Sequence, residues 1–200
     1  IRTFHLPYLK LLHDNGYEVH VATNGNEQFP NCDVKHQICI ERSPFKISNI
    51  KAIKQLRKII DTEKFNIIHC HTPMGAVVAR LAAKNARKKY GTRVIYTAHG
   101  FHFYKGAPKI NWLLFYPIEK YLTKYTDKLI TINNEDFNLA KSKFSKRCKD
   151  IQYVPGVGID IKKFQKPTPI NEVKTLKKSL GLSDDDYVLM CVARLDKNKN

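Results

Sequence analysis

Four apolar, β-branched runs in this chain each break into a loop marked by His, Gly, Asn or Pro. They are 67–75 (IIHCHTPMG), 94–101 (VIYTAHGF), 129–135 (LITINNE) and 153–160 (YVPGVGID). Stretches long enough for a helix separate them. Strands joined by such crossovers pair in parallel, because a parallel neighbour cannot be reached by a tight turn. A parallel sheet presents the carboxyl ends of its strands on one edge, and open α/β folds bind ligands there. The pattern predicts an α/β, Rossmann-like, mostly parallel sheet flanked by helices, with its polar turns along one working rim.

The alternation continues along the chain. Strands are expected near 17–23, 34–40, 65–70, 93–98, 128–132 and 151–154, and helices near 48–63, 74–89, 109–125 and 134–145. Ahead of them, residues 3–15 read as an amphipathic helix with Phe4, Leu6, Leu9 and Leu12 inward. Asn15-Gly16 supplies its left-handed cap. A doubly wound sheet ordinarily opens on a buried strand and a glycine-bearing loop, so a fragment starting just after these is expected. Gly156, Gly158, Pro167 and Pro169 mark a linker-like stretch. A short Lys-rich helix at 171–181 and an apolar strand at 187–193 follow. The expected domains are an N-terminal Rossmann-like domain, 1–165, and a linker with the first strand of a second domain, 166–200.

Composition narrows the function. Lys and Arg number 35 against 18 acids, a formal charge of +17. Such a field suits phosphate-bearing partners: nucleotides, nucleic acid or an anionic membrane surface. No apolar run is long enough to span a bilayer. The five cysteines are scattered and form no C-x-x-C, which fits reduced thiols in a cytosolic compartment.

Individual residues carry two readings each. His99, with Gly100 behind it, is either a turn histidine bonded to a carbonyl or a donor to a phosphate or a charged oxygen. Phe101, Phe103 and Tyr104 either tuck beneath their loop or wall an acceptor site. In a strand, His69 and His71 share one face and Cys70 points away. With no third ligand within sequence reach, no metal site is expected, and His71 is assigned to the rim. Thr72 is a candidate N-cap with Pro73 at the first helical position. In helix 48–63, Ile50, Ile53, Leu56 and Ile60 form a core-facing stripe opposite a basic face. Membrane apposition of that face is the alternative. The apolar segment 112–117 reads as core or as part of a greasy acceptor cleft. Arg194 and Lys199 could clamp a diphosphate.

Together, residues 4–16, 67–75, 96–106, 127–136, 153–160 and Val192-Ala193-Arg194-Leu195 with Lys199 resemble the family-4 retaining glycosyltransferases of the GT-B fold, especially bacterial capsule and exopolysaccharide enzymes. The resemblance covers essentially the whole chain. It implies sugar transfer from a nucleotide-diphosphate donor to a glycan or polyprenyl-diphosphate-linked acceptor, with no cofactor and no metal. It implies that His99 is the catalytic histidine and that Arg194, Lys199 and Gly156 bind the donor. His71, Gly100, Phe101, Phe103 and Tyr104 would meet the acceptor. Gly156 departs from the family's usual Asn in the (V/I)-P-N-G-(V/I)-D turn, and an extra residue intervenes there. The resemblance also implies an acceptor-binding domain truncated at both ends, and so inactive alone, from a protein at the cytoplasmic side of the plasma membrane. The rivals are a non-catalytic basic domain binding nucleic acid or membrane, and another α/β enzyme. No G-x-G-x-x-G follows any expected strand, which weighs against a dinucleotide enzyme.

Overall fold

Every strand pair among the described residues is parallel. β3 (Ile67–His71), β4 (Arg93–Ala98), β5 (Lys128–Thr131) and β6 (Asp150–Tyr153) form a four-stranded sheet in that order. β1 (His20–Thr23) and β2 (Val34–Gln37) form a separate two-stranded ladder. Among the described residues no ladder joins β1 to β3, so the strands make two sheets where the sequence suggested one. The structure is a computed structural model that describes residues 4–165 and 167–192.

The helices are α1 (Leu6–Asp14), α2 (Ser48–Glu63), α3 (Pro73–Ala82), α4 (Ala86–Lys89), α5 (Lys109–Leu122), α6 (Asn134–Phe144), α7 (Ile161–Phe164) and α8 (Ile170–Ser179). Gly16, at φ 79°, closes α1 as expected. Small side chains bring α3 close to the sheet: Ala76, Ala79, Ala82 and Ala83 are all buried, beside Val94, Tyr96 and Ala98 of the central strand. The expected helix 74–89 is broken at residues 83–85. Past the break, the Arg87 guanidinium grips the Asp127 carboxylate, whose Oδ2 also accepts the Val94 N–H at 2.8 Å.

Chain contacts separate two units, 1–158 and 159–200. In the second, α8 buries no residue. The strand expected at 187–193 is not formed over its described residues, 187–192. Tyr187 and Leu189 are 92% and 87% exposed. A strand needs a ladder partner, and the described part of this unit offers none.

Two faces differ from the sequence reading. In α2 the buried residues are Asn49, Ala52, Leu56 and Ile60, while Ile50 is exposed. The helix is rotated so that Asn49 can accept the Glu41 N–H at 2.9 Å and donate to the Ser43 carbonyl at 2.8 Å. Phe4, expected inward on α1, is half exposed; Leu9 is the buried residue of that helix.

Candidate functional site

The carboxyl edge of the four-stranded sheet opens into a cleft of about 380 Å3. His69 and His71 from β3, Thr97 from β4 and His99 just beyond it line one side. α1 lays His5 and Tyr8 over them, and Ile132 and Gly156 complete the wall. The pleat explains the first pair: side chains two apart share a face. Cys70, between them, is buried with its thiol on the Ile95 carbonyl at 3.3 Å, and burial pushes its pKa up to about 12.

The imidazoles form a chain. The Tyr8 hydroxyl meets His69 Nδ1 at 3.1 Å, and His69 Nε2 meets Thr97 Oγ1 at 2.8 Å. His71 Nδ1 lies 3.3 Å from His99 Nε2, and the His5 ring stands edge-on to His71 with centroids 4.3 Å apart. Desolvation and the neighbouring imidazoles hold His69 down to about 4 and His71 down to about 2. Desolvation also lowers His99. All three are therefore neutral at pH 7. Each offers one N–H donor and one lone pair, and which nitrogen holds the proton follows from its partners.

Thr72 links this edge to α3 as foreseen: its hydroxyl accepts the Gly75 N–H, at 3.4 Å, with Pro73 in the first turn. Less expected is its backbone, at φ 63° and ψ 151°, a region ordinarily left to glycine and costing about 1–3 kcal/mol. A Cβ on Gly75 would come within 2.9 Å of the Thr72 hydroxyl, so the two residues are interlocked.

The aromatic loop behaves differently. Phe101 and Phe103 are 7% and 2% exposed, stacked on each other with centroids 4.9 Å apart and packed against Phe144, Trp112 and Tyr116. They belong to the core, which corrects their assignment to an acceptor wall. Large rings gain more from burial than from a place beside a wet cleft. Tyr104 is half exposed, and its carbonyl accepts the Trp112 indole N–H at 3.2 Å. Gly100, at φ 136°, makes the turn that sends His99 to the cleft and Phe101 inward. Gly156 lies on the cleft wall. Arg194 and Lys199 lie outside the described residues.

What holds this loop was missed in the sequence. The Asp136 carboxylate accepts the Phe101 N–H at 3.0 Å and the Asn133 amide at 2.8 Å, while Asn133 Oδ1 caps α6 by accepting the Asp136 N–H at 2.8 Å. Glu135 accepts the Lys105 N–H at 2.7 Å. The Asn-Asn-Glu-Asp run is thus a helix cap that also clamps the loop behind His99. A second missed feature is Arg80, fully buried, forked onto Glu119 at 2.5 and 3.1 Å and lying 4.4 Å from the Tyr96 ring centre.

One metal-capable set emerges that sequence spacing concealed. Ring nitrogens of His5, His71 and His99 all lie within 4.8 Å of one another. Three imidazoles are the donor chemistry of a zinc-type ion. A magnesium-type ion that bridges phosphates prefers oxygen ligands, and no carboxylate lines the cleft among the described residues.

Comparison with known proteins decides the family. Residues 2–133 match the family described as glycosyl transferase 4-like. The chain belongs to that family. It is 49% identical over 199 residues to "Putative glycosyltransferase EpsD" of Bacillus subtilis (strain 168), covering 100% of this chain and 51% of that protein. It is 30% identical over 154 residues to an Escherichia coli protein named UDP-Gal:alpha-D-GlcNAc-diphosphoundecaprenol alpha-1,3-galactosyltransferase, covering 77% of this chain and 38% of that one. The chain therefore spans about half, or less, of the length of these relatives. Among solved structures, a sucrose-phosphate synthase chain from Thermosynechococcus elongatus superposes with a TM-score of 0.52 at 14% identity, covering 88% of this chain and 94% of that one. This likeness supports a GT-B-like fold. The family match favours a transferase over the rival nucleic-acid-binding domain.

Proposed function

We propose that this chain is the acceptor-binding part of a retaining glycosyltransferase, which moves a sugar from a nucleotide-diphosphate donor to a polyprenyl-diphosphate-linked glycan in surface-polysaccharide biosynthesis. The observation that carries this reading is the histidine-lined cleft on the carboxyl edge of a parallel sheet in a glycosyl transferase 4-like chain. The Escherichia coli relative, whose name gives it a diphosphoundecaprenol-linked substrate, supports the acceptor class. Work at the cytoplasmic face of the plasma membrane, with peripheral contact to its anionic surface, follows from such an acceptor and from the +17 charge. Among the described residues, no helix is long and apolar enough to cross a membrane.

In this reading His99 touches the sugar. Its Nε2 is engaged by His71, so the other ring nitrogen meets a sugar hydroxyl or phosphate oxygen. Being neutral, His99 contributes a directed hydrogen bond rather than a charge. Offsetting the leaving diphosphate falls to cations, the electrostatic work a metal performs elsewhere; Arg194 and Lys199 are assigned to it from the sequence. His69, held at both nitrogens, fixes the floor on which His71 stands. The family resemblance implies no resident metal; among the described residues no carboxylate lines the cleft to hold a diphosphate-bridging ion, while His5, His71 and His99 remain a set able to take a zinc-type ion.

The test is transfer by the full-length protein across a panel of nucleotide sugars. His99→Ala is expected to lower turnover about 100-fold or more with the circular dichroism unchanged. Unchanged turnover removes His99 from the mechanism, and loss of activity in EDTA removes the metal-free assignment. Product anomeric configuration by NMR decides retention.

A further inference from the structure

Three histidines of the cleft come from three separate segments. His5 precedes α1, His71 ends β3 and His99 follows β4. One ring nitrogen from each converges, all within 4.8 Å of one another. No other set of three His, Cys, Asp or Glu converges in this way among the described residues. The rival pair is His20 and His36, 3.0 Å apart on β1 and β2, and no third ligand joins them there.

The spacing fits an ion. Metal–imidazole bonds of about 2.0–2.1 Å at a tetrahedral angle set ligand nitrogens about 3.3 Å apart. His71 Nδ1 and His99 Nε2 already stand at 3.3 Å. A single hydrogen bridges these two nitrogens. Moving it to the far nitrogen of its own ring frees both lone pairs for an ion, with no change in net charge. The His5 ring has its centroid 4.3 Å from that of His71 and 6.3 Å from that of His99. A displacement of about 1.5 Å or less, within reach of side-chain rotation, brings its nitrogen to the same spacing. His69 supports the set from outside. Both its nitrogens are taken, by Tyr8 and Thr97, and its ring packs on His71 with centroids 4.2 Å apart. Outer-shell support of this kind keeps a ligand aimed.

Three imidazoles suit Zn2+ and its neighbours in the transition series, whereas Mg2+ demands oxygen ligands. All three residues line the cleft, so the fourth tetrahedral position faces its interior. The geometry points to a three-histidine zinc-type site formed by His5, His71 and His99, which staples α1 to the ends of β3 and β4 and closes the cleft to the acceptor. The ion and its fourth ligand fill the space beside His99 that a sugar would need, so zinc acts as an inhibitor. The binding stands on the histidines alone; the inhibition rests on the proposed function.

The experiment is calorimetric titration of the full-length protein, first stripped with EDTA, with zinc chloride and separately with magnesium chloride. Saturable zinc binding with a zinc-dependent rise in melting temperature is expected, and no magnesium binding at the same concentrations. His5→Ala and His71→Ala are each expected to weaken zinc binding about 100-fold or more, beyond what loss of an outer-shell group costs. His20→Gln leaves it unchanged. Circular dichroism confirms that each variant is folded. His5→Ala keeps the test sound should His71→Ala not fold, because His5 lies ahead of α1 and outside the sheet. Cobalt(II) in place of zinc should show no thiolate charge-transfer band. Absent zinc binding overturns the site, as does an unweakened His5→Ala, an equal loss in His20→Gln, equal affinity for magnesium, or a thiolate band that assigns the metal to a cysteine. Turnover tests the inhibition. At zinc about tenfold above its Kd, transfer should fall about tenfold, following the fraction of sites left open by mass action. His5→Ala, compared with its own metal-free rate, should lose that sensitivity. Zinc that binds the histidines without slowing transfer, or that speeds it, overturns the inhibition and leaves the transferase reading standing. Zinc held by the histidines of a protein that transfers no sugar under any condition supports the site and fails the proposed function.

Discussion

The turns after β3 and β4 stand side by side on one sheet edge and treat their side chains oppositely. After β3, His71 stays at the cleft and Thr72 starts a helix at once. After β4, only His99 stays; Gly100 reverses the chain, and Phe101 and Phe103 plunge into the core. Adjacent loops of similar polarity can thus divide the work. One presents chemistry directly, and the other presents a single residue on a hydrophobic anchor. Such an anchor limits how far His99 can stray from His71.

The strongest way to break this comparison is to remove the anchor. Phe103→Ala deletes a ring that is 2% exposed and is expected to cost about 3–5 kcal/mol in chemical denaturation. Acceptor KM in the protein that remains folded should be unchanged. A raised KM with unaltered stability would return Phe103 to the acceptor wall. The clamp comes next in size. Asp136→Ala orphans the Phe101 N–H and removes the partner of the Asn133 amide, for an expected loss of about 1–3 kcal/mol. It should also lower kcat more than Glu135→Ala, whose bond to Lys105 is exposed; equal effects would make the clamp merely structural.

The smallest effect concerns pH and sharpens the β3 side. Burial and mutual repulsion depress His69 and His71 below the ordinary 6.5 in the folded protein, to about 4 and about 2. As pH falls, the unfolded chain takes up protons first. The associated stability is complete above pH 6.5 and is lost progressively toward the folded values. Between pH 7 and pH 5, about 1 kcal/mol or more should disappear from the unfolding free energy. His69→Gln should remove about half of that slope, His71 supplying the rest; an undiminished slope would place the titration elsewhere.

Much of the architecture was legible in residue order. The 48–63 and 93–98 elements fall where periodicity put them, because long amphipathic runs and β-branched runs carry a strong local signal. The Thr72 cap and the shared face of His69 and His71 were equally readable, since both follow from geometry over three residues or fewer. The inner placement of Phe101 and Phe103 was not, since a ring beside a glycine is compatible with either side of a loop. Nor was the apolar exposure of α5, on which Leu113 is 70% exposed. A helix apolar nearly all round looks like core until its neighbours cover one side only.

By itself, then, the order of residues determined the parallel α/β type and the edge on which chemistry would gather, because strand, crossover and turn preferences act over short spans. Tertiary structure alone decided which histidines meet. His5 and His99 reach His71 from segments 66 and 28 positions away, and the Asp136 clamp crosses 35. Contacts at that separation depend on how helices seat on the sheet, a global packing outcome that leaves no local pattern to read.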